Sequence, residues 1–223
     1  MEEVLAVTAS RKIIFWQVDA QQDFMLPGGK LYVPGAEKII PHIKRLVDAA
    51  RKAGILLVSS ACAHAADDPE FANFPPHCIR GTDGARIVSE GLAKDFVIVP
   101  NRANLGLPAD LFDHAQIVIE KQELDVFSNP HTHEIVERLG AEATYVVFGV
   151  VTEFCVHFAS KGLLSRGRKV FVVEDAIETV EAEEGARALD ELDAMGAGLV
   201  TTDEAIRMLE IASAAGSGPQ SKS

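Results

Sequence analysis

Residues 145–160 change from a strand pattern to a helix pattern within a few positions. Residues 145–148 form an aromatic and β-branched run that ends at Gly149, which is typical of a buried strand. From Thr152 onward the pattern is helical, and threonine is a favourable N-cap residue. A buried strand that leads directly into a helix is the repeating unit of α/β folds, so this stretch restricts the architecture strongly.

Cys155 lies on this predicted strand-to-helix turn, two residues after the acidic Glu153. The N-terminus of a helix carries a partial positive charge and free backbone N–H groups, which favour a thiolate over a thiol. The position therefore suits a nucleophilic cysteine. Free cysteine is also among the most buried residue types, so a structural role for Cys155 is the alternative interpretation.

The alternation of strand and helix continues along the chain. A series of βαβ units with right-handed crossovers folds into a mainly parallel sheet covered by helices. We therefore predict a three-layer α/β/α, Rossmann-like fold with about six strands. The predicted strands lie at residues 13–18, 55–58, 117–119, 145–148, 169–173 and 198–201, and predicted helices occupy residues 39–50, 181–195 and 202–211 and begin at residue 152.

The length of 223 residues allows one or two domains, and the sequence contains no internal repeat or linker that would mark a boundary. We predict a single domain over residues 1–212, in which residues 1–10 are a loose arm. Residues 213–223 are rich in serine and glycine and are predicted to form a disordered tail.

The formal net charge of −12 argues against nucleic acid or an anionic membrane as a partner. The three cysteines cannot all pair in disulfides, and the chain has neither a signal-peptide pattern nor an apolar run of the ~20 residues that span a bilayer. These features predict a soluble, cytoplasmic protein that acts on a small molecule. The sequence does not fix the oligomeric state, and a homo-oligomer is compatible with it.

Charged residues follow two of the predicted strands. Asp19 comes directly after residues 13–18, and Lys121 follows residues 117–119 after one intervening position. In an open parallel sheet, ligands bind outside the carboxyl ends of the strands, so Asp19, Lys121 and Cys155 are expected to converge on one edge. A base, a cation and a thiol are the groups needed for an activated sulfur nucleophile.

The long loop at residues 59–84 contains several metal-ligand residue types. Cys62 and His64 are two positions apart just past a strand, so both side chains can point in one direction. His77 follows two prolines, whose rigid backbone would hold the imidazole in place. Thiolate, imidazole and carboxylate ligands suit zinc. The alternative interpretation is a loop with ordinary surface histidines and a half-buried cysteine.

Five blocks occur in order along residues 13–205: D-A-Q-Q-D-F at 19–24, P-G-G-K-L-Y-V-P-G at 27–35, F-P-P-H-C-I-R-G-T at 74–82, Lys121, and G-V-V-T-E-F-C at 149–155. In this combination the chain resembles the isochorismatase-like cysteine hydrolases, and within them most closely the nicotinamidases. The combination is specific, whereas no single block is.

The resemblance implies an isochorismatase-like fold and a catalytic triad of Asp19, Lys121 and Cys155. Asp19 would take the thiol proton, Lys121 would stabilise the thiolate, and the sulfur would attack a carboxamide to form a thioester. Backbone N–H groups of Val151 and Cys155 would form the oxyanion hole, with a cis peptide bond between Val150 and Val151.

The resemblance also implies a divalent metal that binds and orients the substrate through its pyridine nitrogen. His64, Glu70 and His77 match family ligand positions, whereas Cys62 stands where the family usually has aspartate. The softer sulfur ligand favours zinc as the metal. Phe24 and Phe74 match positions that flank the planar substrate ring, although a plain core role is the alternative for each.

Three functions follow from these observations. The first is hydrolysis of nicotinamide to nicotinate and ammonia. The second keeps the triad but uses another small amide or a carbamoyl compound, without a metal. The third is a non-catalytic α/β scaffold or zinc-binding interaction module. Thiol alkylation separates the last from the first two, since a catalytic Cys155 should react faster than the other cysteines.

Overall fold

A computed structural model of the protein describes residues 12–216, and its strands form one sheet. All pairs between these strands are parallel, whereas the sequence predicts a mainly parallel sheet. The strands are β1 (Ile13–Val18), β2 (Leu57–Cys62), β3 (Phe96–Val99), β4 (Gln116–Lys121), β5 (Thr144–Val150), β6 (Lys169–Glu178) and β7 (Gly198–Val200). Their order across the sheet is β3-β4-β2-β1-β5-β6-β7.

Helices cover both faces of the sheet. They are α1 (Gln22–Met25), α2 (Ile40–Ala53), α3 (Thr132–Leu139), α4 (His157–Leu164), α5 (Ala182–Ala194) and α6 (Thr202–Gly216). The buried side chains of α2 and α6 pack on one face, and those of α3, α4 and α5 pack on the other. The predicted three-layer α/β/α fold is therefore confirmed. The sheet has seven strands within the described residues, because Phe96–Val99 adds a short edge strand to the predicted six.

The central strands are buried on both faces. Phe15 and Trp16 are neighbours on β1 and point to opposite sides of the sheet, where each enters a different apolar cluster. Val146 and Val147 on β5 divide in the same way. Successive side chains on a strand alternate between faces, so a strand covered by helices on both sides is largely apolar along its whole length.

The order of the strands reverses beside β1. The chain leaves β1 for β2 on one side, and β5 later joins β1 on the other side. Such a switch point opens a crevice at the carboxyl ends of the strands, and ligands of α/β proteins bind there. The topology therefore predicts a binding crevice at the ends of β1, β2, β4 and β5.

The second strand lies two to four residues later than predicted. We expected it at residues 55–58, but the structure places it at Leu57–Cys62. The extension is stabilised by pairing with both neighbours, since Ser60 is in register with Val18 and Cys62 is in register with Lys121. The predicted loop from residue 59 therefore begins after Cys62, which is itself part of the sheet.

The structure describes part of the predicted C-terminal tail but none of the predicted N-terminal arm. The predicted arm at residues 1–10 lies outside the described residues. The predicted tail begins at residue 213, but α6 continues through Gly216, so its first four positions are helical. Residues 217–223 lie outside the described part. Within residues 12–216, no helix is both long and apolar enough to cross a membrane.

Candidate active site

Four strand ends bring polar side chains into the crevice beside β1. Asp19 follows β1, Cys62 and Lys121 end β2 and β4, and Cys155 lies shortly after β5. All four residues are buried. The structure thus brings together the three predicted triad residues, and it adds Cys62 to the same group.

The ammonium group of Lys121 lies at the centre of this cluster. Its Nζ is 2.8 Å from Oδ2 of Asp19, 3.4 Å from Sγ of Cys155 and 3.2 Å from Sγ of Cys62. It also donates a hydrogen bond to the carbonyl oxygen of Glu123 at 3.0 Å. One cation therefore contacts the carboxylate and both sulfurs.

A hydroxyl that sequence reasoning missed holds the carboxylate of Asp19. Ser60 donates through Oγ to Oδ1 of Asp19 at 2.7 Å, while Lys121 occupies Oδ2. The backbone at Asp19 has a φ of 45°, which is rare for a residue other than glycine. The sequence signal at Ser60 is weak, because Ser59 and Ser60 together follow the apolar run at residues 55–58 and predict a loop there instead of a strand.

The thiol of Cys155 is less acidic than its predicted position implies. Burial raises the pKa of Cys155 well above its ordinary value, and the Lys121 ammonium lowers the pKa by less than burial raises it. The negative charge of Asp19 raises the pKa further. We expected the start of the helix to favour a thiolate, whereas this environment favours the thiol. A nucleophilic sulfur must therefore lose its proton to a base as it attacks.

Lys121 is held in its charged form. Burial alone lowers the pKa of this side chain, but the carboxylate of Asp19 and the thiolate forms of the two cysteines outweigh burial and raise the pKa well above its ordinary value. The ammonium therefore stays protonated at neutral pH. It supplies a fixed positive charge next to the sulfur of Cys155, where a thiolate would develop.

The turn that carries Cys155 is wider than predicted. Thr152–Val156 form a π-helical turn before α4, and Val151 is the N-cap. Thr152 was expected to be the N-cap, but its hydroxyl instead donates to the carbonyl oxygen of Glu178 at 2.8 Å. Single π-turns of this kind occur frequently at functional sites.

Glu153 ties this turn to the segment after β6. Its carboxylate accepts hydrogen bonds from the N–H groups of Val180 and Glu181 at 2.9 and 3.0 Å and from the hydroxyl of Thr179 at 2.7 Å. The acid that was predicted as a first-turn helix residue therefore anchors the Cys155 turn to a neighbouring loop.

The Val150–Val151 peptide bond is cis, as the resemblance implies. It joins β5 to the Cys155 turn. Gly149 precedes it with a φ of +123°, and a Cβ at this position would lie 2.0 Å from the carbonyl oxygen of Val18. Only glycine allows β5 to approach β1 this closely at the edge of the site.

A second cluster lies next to the first and contains three of the four predicted metal ligands. Cys62, His64 and His77 each offer a ligand atom, and these atoms lie within 4.8 Å of one another. All three residues are buried. Cys62 belongs to both clusters, because its sulfur also contacts Lys121.

The chemistry of these side chains fits a metal ion. Among the described residues, Nε2 of His64 and Oε2 of Glu70 are buried without a hydrogen-bond partner, which is costly unless a ligand satisfies them. Nδ1 of His77 is 2.8 Å from the carbonyl oxygen of Pro75. This contact leaves the other ring nitrogen, Nε2, as the ligand atom that His77 can offer to a metal. Burial lowers the pKa of both histidines, so their neutral, metal-binding forms are favoured at neutral pH.

Glu70 does not join Cys62 and His77 directly. It forms a separate group with His64 and Asp68, in which Oε2 of Glu70 lies 3.8 Å from Nε2 of His64. Sequence reasoning missed Asp68, whose Oδ2 lies 3.1 Å from Nδ1 of His64. Its signal was an aspartate directly before a proline, because Asp68 is the N-cap of a short 3-10 helix that carries Glu70.

Two further residues fix the segments that carry the candidate metal ligands, and the sequence alone singles out neither of them. The side-chain amide of Gln21 accepts from the N–H of Cys62 at 2.7 Å and donates to its carbonyl oxygen at 2.8 Å. The carboxylate of Asp23 accepts from the N–H of Cys78, next to His77, at 2.7 Å. The segment after β1 therefore holds both ends of the loop that carries the candidate metal ligands.

Aromatic rings surround the imidazole of His77. The ring centroids of Phe24 and Phe74 lie 5.3 and 6.5 Å from that of His77, so the structure brings the two predicted ring-flanking residues to the metal cluster. Phe74 also contacts Phe154, the neighbour of Cys155, at 6.3 Å. Phe71 was not predicted, and it packs on His77 at 5.8 Å.

Comparison with known proteins shows the family to which the chain belongs. Residues 14–105 and 108–204 match the isochorismatase domain family. This chain belongs to the isochorismatase family. The chain is also 27% identical over 208 residues to the nicotinamidase of Escherichia coli K12, which covers 82% of this chain and 92% of that protein. It is an isochorismatase-family hydrolase with nicotinamidases among its relatives.

Solved structures of amidases also superpose on the chain. The pyrazinamidase of Pyrococcus horikoshii, solved in complex with zinc, has a TM-score of 0.69 and 26% identity, covering 85% of this chain and 99% of that one. The N-carbamoylsarcosine amidase of Thermoplasma acidophilum has a TM-score of 0.68 and 23% identity, covering 86% and 97%. The second likeness shows the fold alone.

Proposed function

We propose that the protein hydrolyses the carboxamide of nicotinamide, or of a closely similar neutral aromatic amide, to a carboxylic acid and ammonia. The observation that carries this proposal is the contact of the Lys121 ammonium with both the carboxylate of Asp19 and the sulfur of Cys155. Nicotinamidase and pyrazinamidase relatives support the choice of substrate class.

In the first step Asp19 acts as the base. The thiol is the favoured form of Cys155, so its proton passes to the carboxylate as the sulfur attacks the amide carbon. Lys121 carries a fixed positive charge beside the sulfur and stabilises the thiolate that develops. Ser60 and Lys121 hold both oxygens of Asp19, which orients the carboxylate for this transfer.

The negative charge then moves to the amide oxygen. The backbone N–H groups of Val151 and Cys155 are the proposed donors to this oxyanion, at the cis peptide bond and the π-turn. Asp19 returns its proton to the departing nitrogen, and ammonia leaves a thioester on Cys155. Water deprotonated by Asp19 then attacks the thioester and releases the acid.

Cys62, His64 and His77 would hold a divalent metal, with zinc favoured by the sulfur ligand. Glu70 is the proposed fourth group, acting directly or through water. When bound, the metal supplies a Lewis acid that can accept the ring nitrogen of the substrate. Asp68 would orient His64, and the carbonyl oxygen of Pro75 would orient His77.

The surface beside the site favours a neutral substrate. A cleft next to the candidate metal cluster is lined by Phe74 and Phe158 and by four carboxylate side chains, and none of the described residues that line it is basic. A negatively charged amide would be repelled by these carboxylates. Phe24 and Phe74 offer aromatic faces on the side of His77. The carboxylates are those of Asp68, Glu70, Glu123 and Asp125.

The test is ammonia release from a panel of small amides, each measured before and after chelation. The panel contains nicotinamide, pyrazinamide, a carbamoyl amine and an amide that carries a carboxylate. We expect the two aromatic amides to be hydrolysed fastest, the anionic amide slowest, and chelation to raise KM for the aromatic amides. If the carbamoyl compound is preferred and chelation has no effect, the protein is the metal-free amidase. If no amide releases ammonia, the proposal is wrong.

A further inference from the structure

The cluster around Lys121 contains a second thiol that the proposed hydrolysis does not use as a reacting group. Sγ of Cys62 lies 3.2 Å from Nζ of Lys121, on the same ammonium that contacts Sγ of Cys155 at 3.4 Å. The two sulfurs therefore lie no farther apart than the sum of these distances. Both cysteines are free and buried.

The position of Cys62 is fixed by its backbone. Gln21 binds both its N–H group and its carbonyl oxygen, and β2 pairs Cys62 with Lys121 in register. The other free cysteine, Cys78, has a different environment, because its sulfur lies 4.0 Å from the carbonyl oxygen of Gly84. Cys62 and Cys155 are therefore the two thiols that share a cation.

We propose that Cys62 is a resolving thiol, which captures the oxidised form of Cys155 as a reversible Cys62–Cys155 disulfide. Peroxide first converts the Cys155 thiol to a sulfenic acid and is itself reduced to water. The Cys62 sulfur then attacks the sulfur of the sulfenic acid, a new S–S bond forms, and the hydroxyl group leaves as a second water with the Cys62 proton. The Lys121 ammonium stabilises the attacking sulfur.

This reaction protects the nucleophile. A sulfenic acid without a nearby thiol is oxidised onward to sulfinic acid, which reductants such as dithiothreitol do not reverse. Capture by Cys62 stops the oxidation at a disulfide, which thiols reduce again. The inference rests on the proposed function in one respect, which is that a substrate can reach Cys155 through the crevice. Hydrogen peroxide is smaller than the substrate and can therefore reach Cys155 by the same route.

The disulfide and the metal compete for Cys62. The same sulfur that would attack Cys155 is a ligand in the proposed metal group. A bound zinc ion would therefore slow formation of the disulfide, and chelation would accelerate it. The metal cluster and the nucleophile are connected through this one residue.

The test is peptide mapping by mass spectrometry under non-reducing conditions, after exposure of the protein to a small excess of hydrogen peroxide. The protein is examined as purified, after chelation, and after chelation followed by added zinc. We expect a peptide pair joining Cys62 to Cys155 that disappears with dithiothreitol, and its formation should be fastest after chelation. A Cys62–Cys78 pair, a Lys121–cysteine link, or sulfinic acid on Cys155 without any disulfide in the chelated protein would overturn the proposal.

Two matched variants complete the experiment. Cys62→Ser should accumulate irreversible oxidation at Cys155, whereas Cys78→Ser should form the Cys62–Cys155 disulfide as the wild-type protein does. The mapping reads the linkage directly and needs no amide hydrolysis. The disulfide can therefore be detected even if the protein hydrolyses no amide. Amide hydrolysis without a disulfide would likewise be detected, so the two proposals are tested separately. Equal amounts of irreversible Cys155 oxidation in Cys62→Ser and wild-type protein would contradict the role of Cys62.

Discussion

Nζ of Lys121 lies 2.8 Å from Oδ2 of Asp19, and each side chain is 1% exposed. Two opposite charges so close together in a desolvated site interact strongly. Each charge is therefore tolerated because the other is present, and the pair places a carboxylate base and a fixed cation beside the same sulfur.

The pair should behave as a unit in stability measurements. Lys121→Met leaves the Asp19 carboxylate buried without its cation, and breaking a buried pair in this way costs roughly 3 to 5 kcal/mol of unfolding free energy. Adding Asp19→Asn removes the remaining charge and should recover part of this loss. Urea unfolding of the two single variants and the double variant measures the coupling. If the loss of unfolding free energy in the double variant equals the sum of the losses in the two single variants, the two charges do not stabilise each other.

The two charges should shift the acidity of Cys155 in opposite directions. The Lys121 ammonium lowers the pKa of the thiol and the Asp19 carboxylate raises it. Lys121→Met should therefore move the pH profile of iodoacetamide labelling at Cys155 to higher pH, and Asp19→Asn should move it to lower pH. Asp19→Asn should also slow hydrolysis by about 10²- to 10⁴-fold, because the base is lost. A labelling profile unchanged in Lys121→Met would exclude this lysine from the site.

Much of this cluster was predictable from the sequence because the ends of parallel strands share one edge. Asp19 and Lys121 each follow an apolar strand closely, and Cys155 follows a strand and a turn. Parallel pairing then brings them together whatever the side-chain details are. The motif blocks assigned roles to these residues, and the roles remain proposals.

The remaining contacts depend on register and on side-chain geometry, which the sequence does not specify. The sulfur of Cys62 reaches Lys121 because β2 continues to Cys62, and the sequence pattern ended the strand earlier at residue 58. Asp68 approaches His64 through the turn of a short 3-10 helix inside the loop. Threonine is a common N-cap residue, but the π-turn directs the hydroxyl of Thr152 to the carbonyl oxygen of Glu178.

Metal content should follow the described ligand group. Purified wild-type protein is expected to carry about one zinc ion per chain, and His64→Ala or His77→Ala should lose it. Asp68→Asn should weaken zinc binding by only about 10- to 100-fold, because Asp68 orients a ligand. Cys62→Asp should retain a site that accepts harder ions more readily. Elemental analysis that finds no transition metal in unchelated wild-type protein, with activity insensitive to chelators, would contradict the metal proposal.

Gly149 should be intolerant of substitution. A Cβ at this position meets the carbonyl oxygen of Val18 at 2.0 Å, and the φ of +123° is strained for any other residue. Gly149→Ala should therefore cost roughly 3 kcal/mol or more, since the clash and the backbone strain add. Gly140→Ala is a control at positive φ with open space around the Cβ, and it should cost less. Equal losses of stability in the two variants, measured by urea unfolding, would show that the close approach of β5 to β1 does not matter.

Cys155 is expected to become acylated during amide hydrolysis. The acyl group can be detected by mass spectrometry of protein that is mixed with nicotinamide and quenched with acid during turnover. We expect a nicotinoyl group on the peptide that contains Cys155, both in the wild-type protein and in the matched control Cys78→Ala. Cys155→Ala should show no adduct and should release ammonia at least about 10³-fold more slowly. Ammonia release by Cys155→Ala at a tenth of the wild-type rate or more would contradict the covalent mechanism.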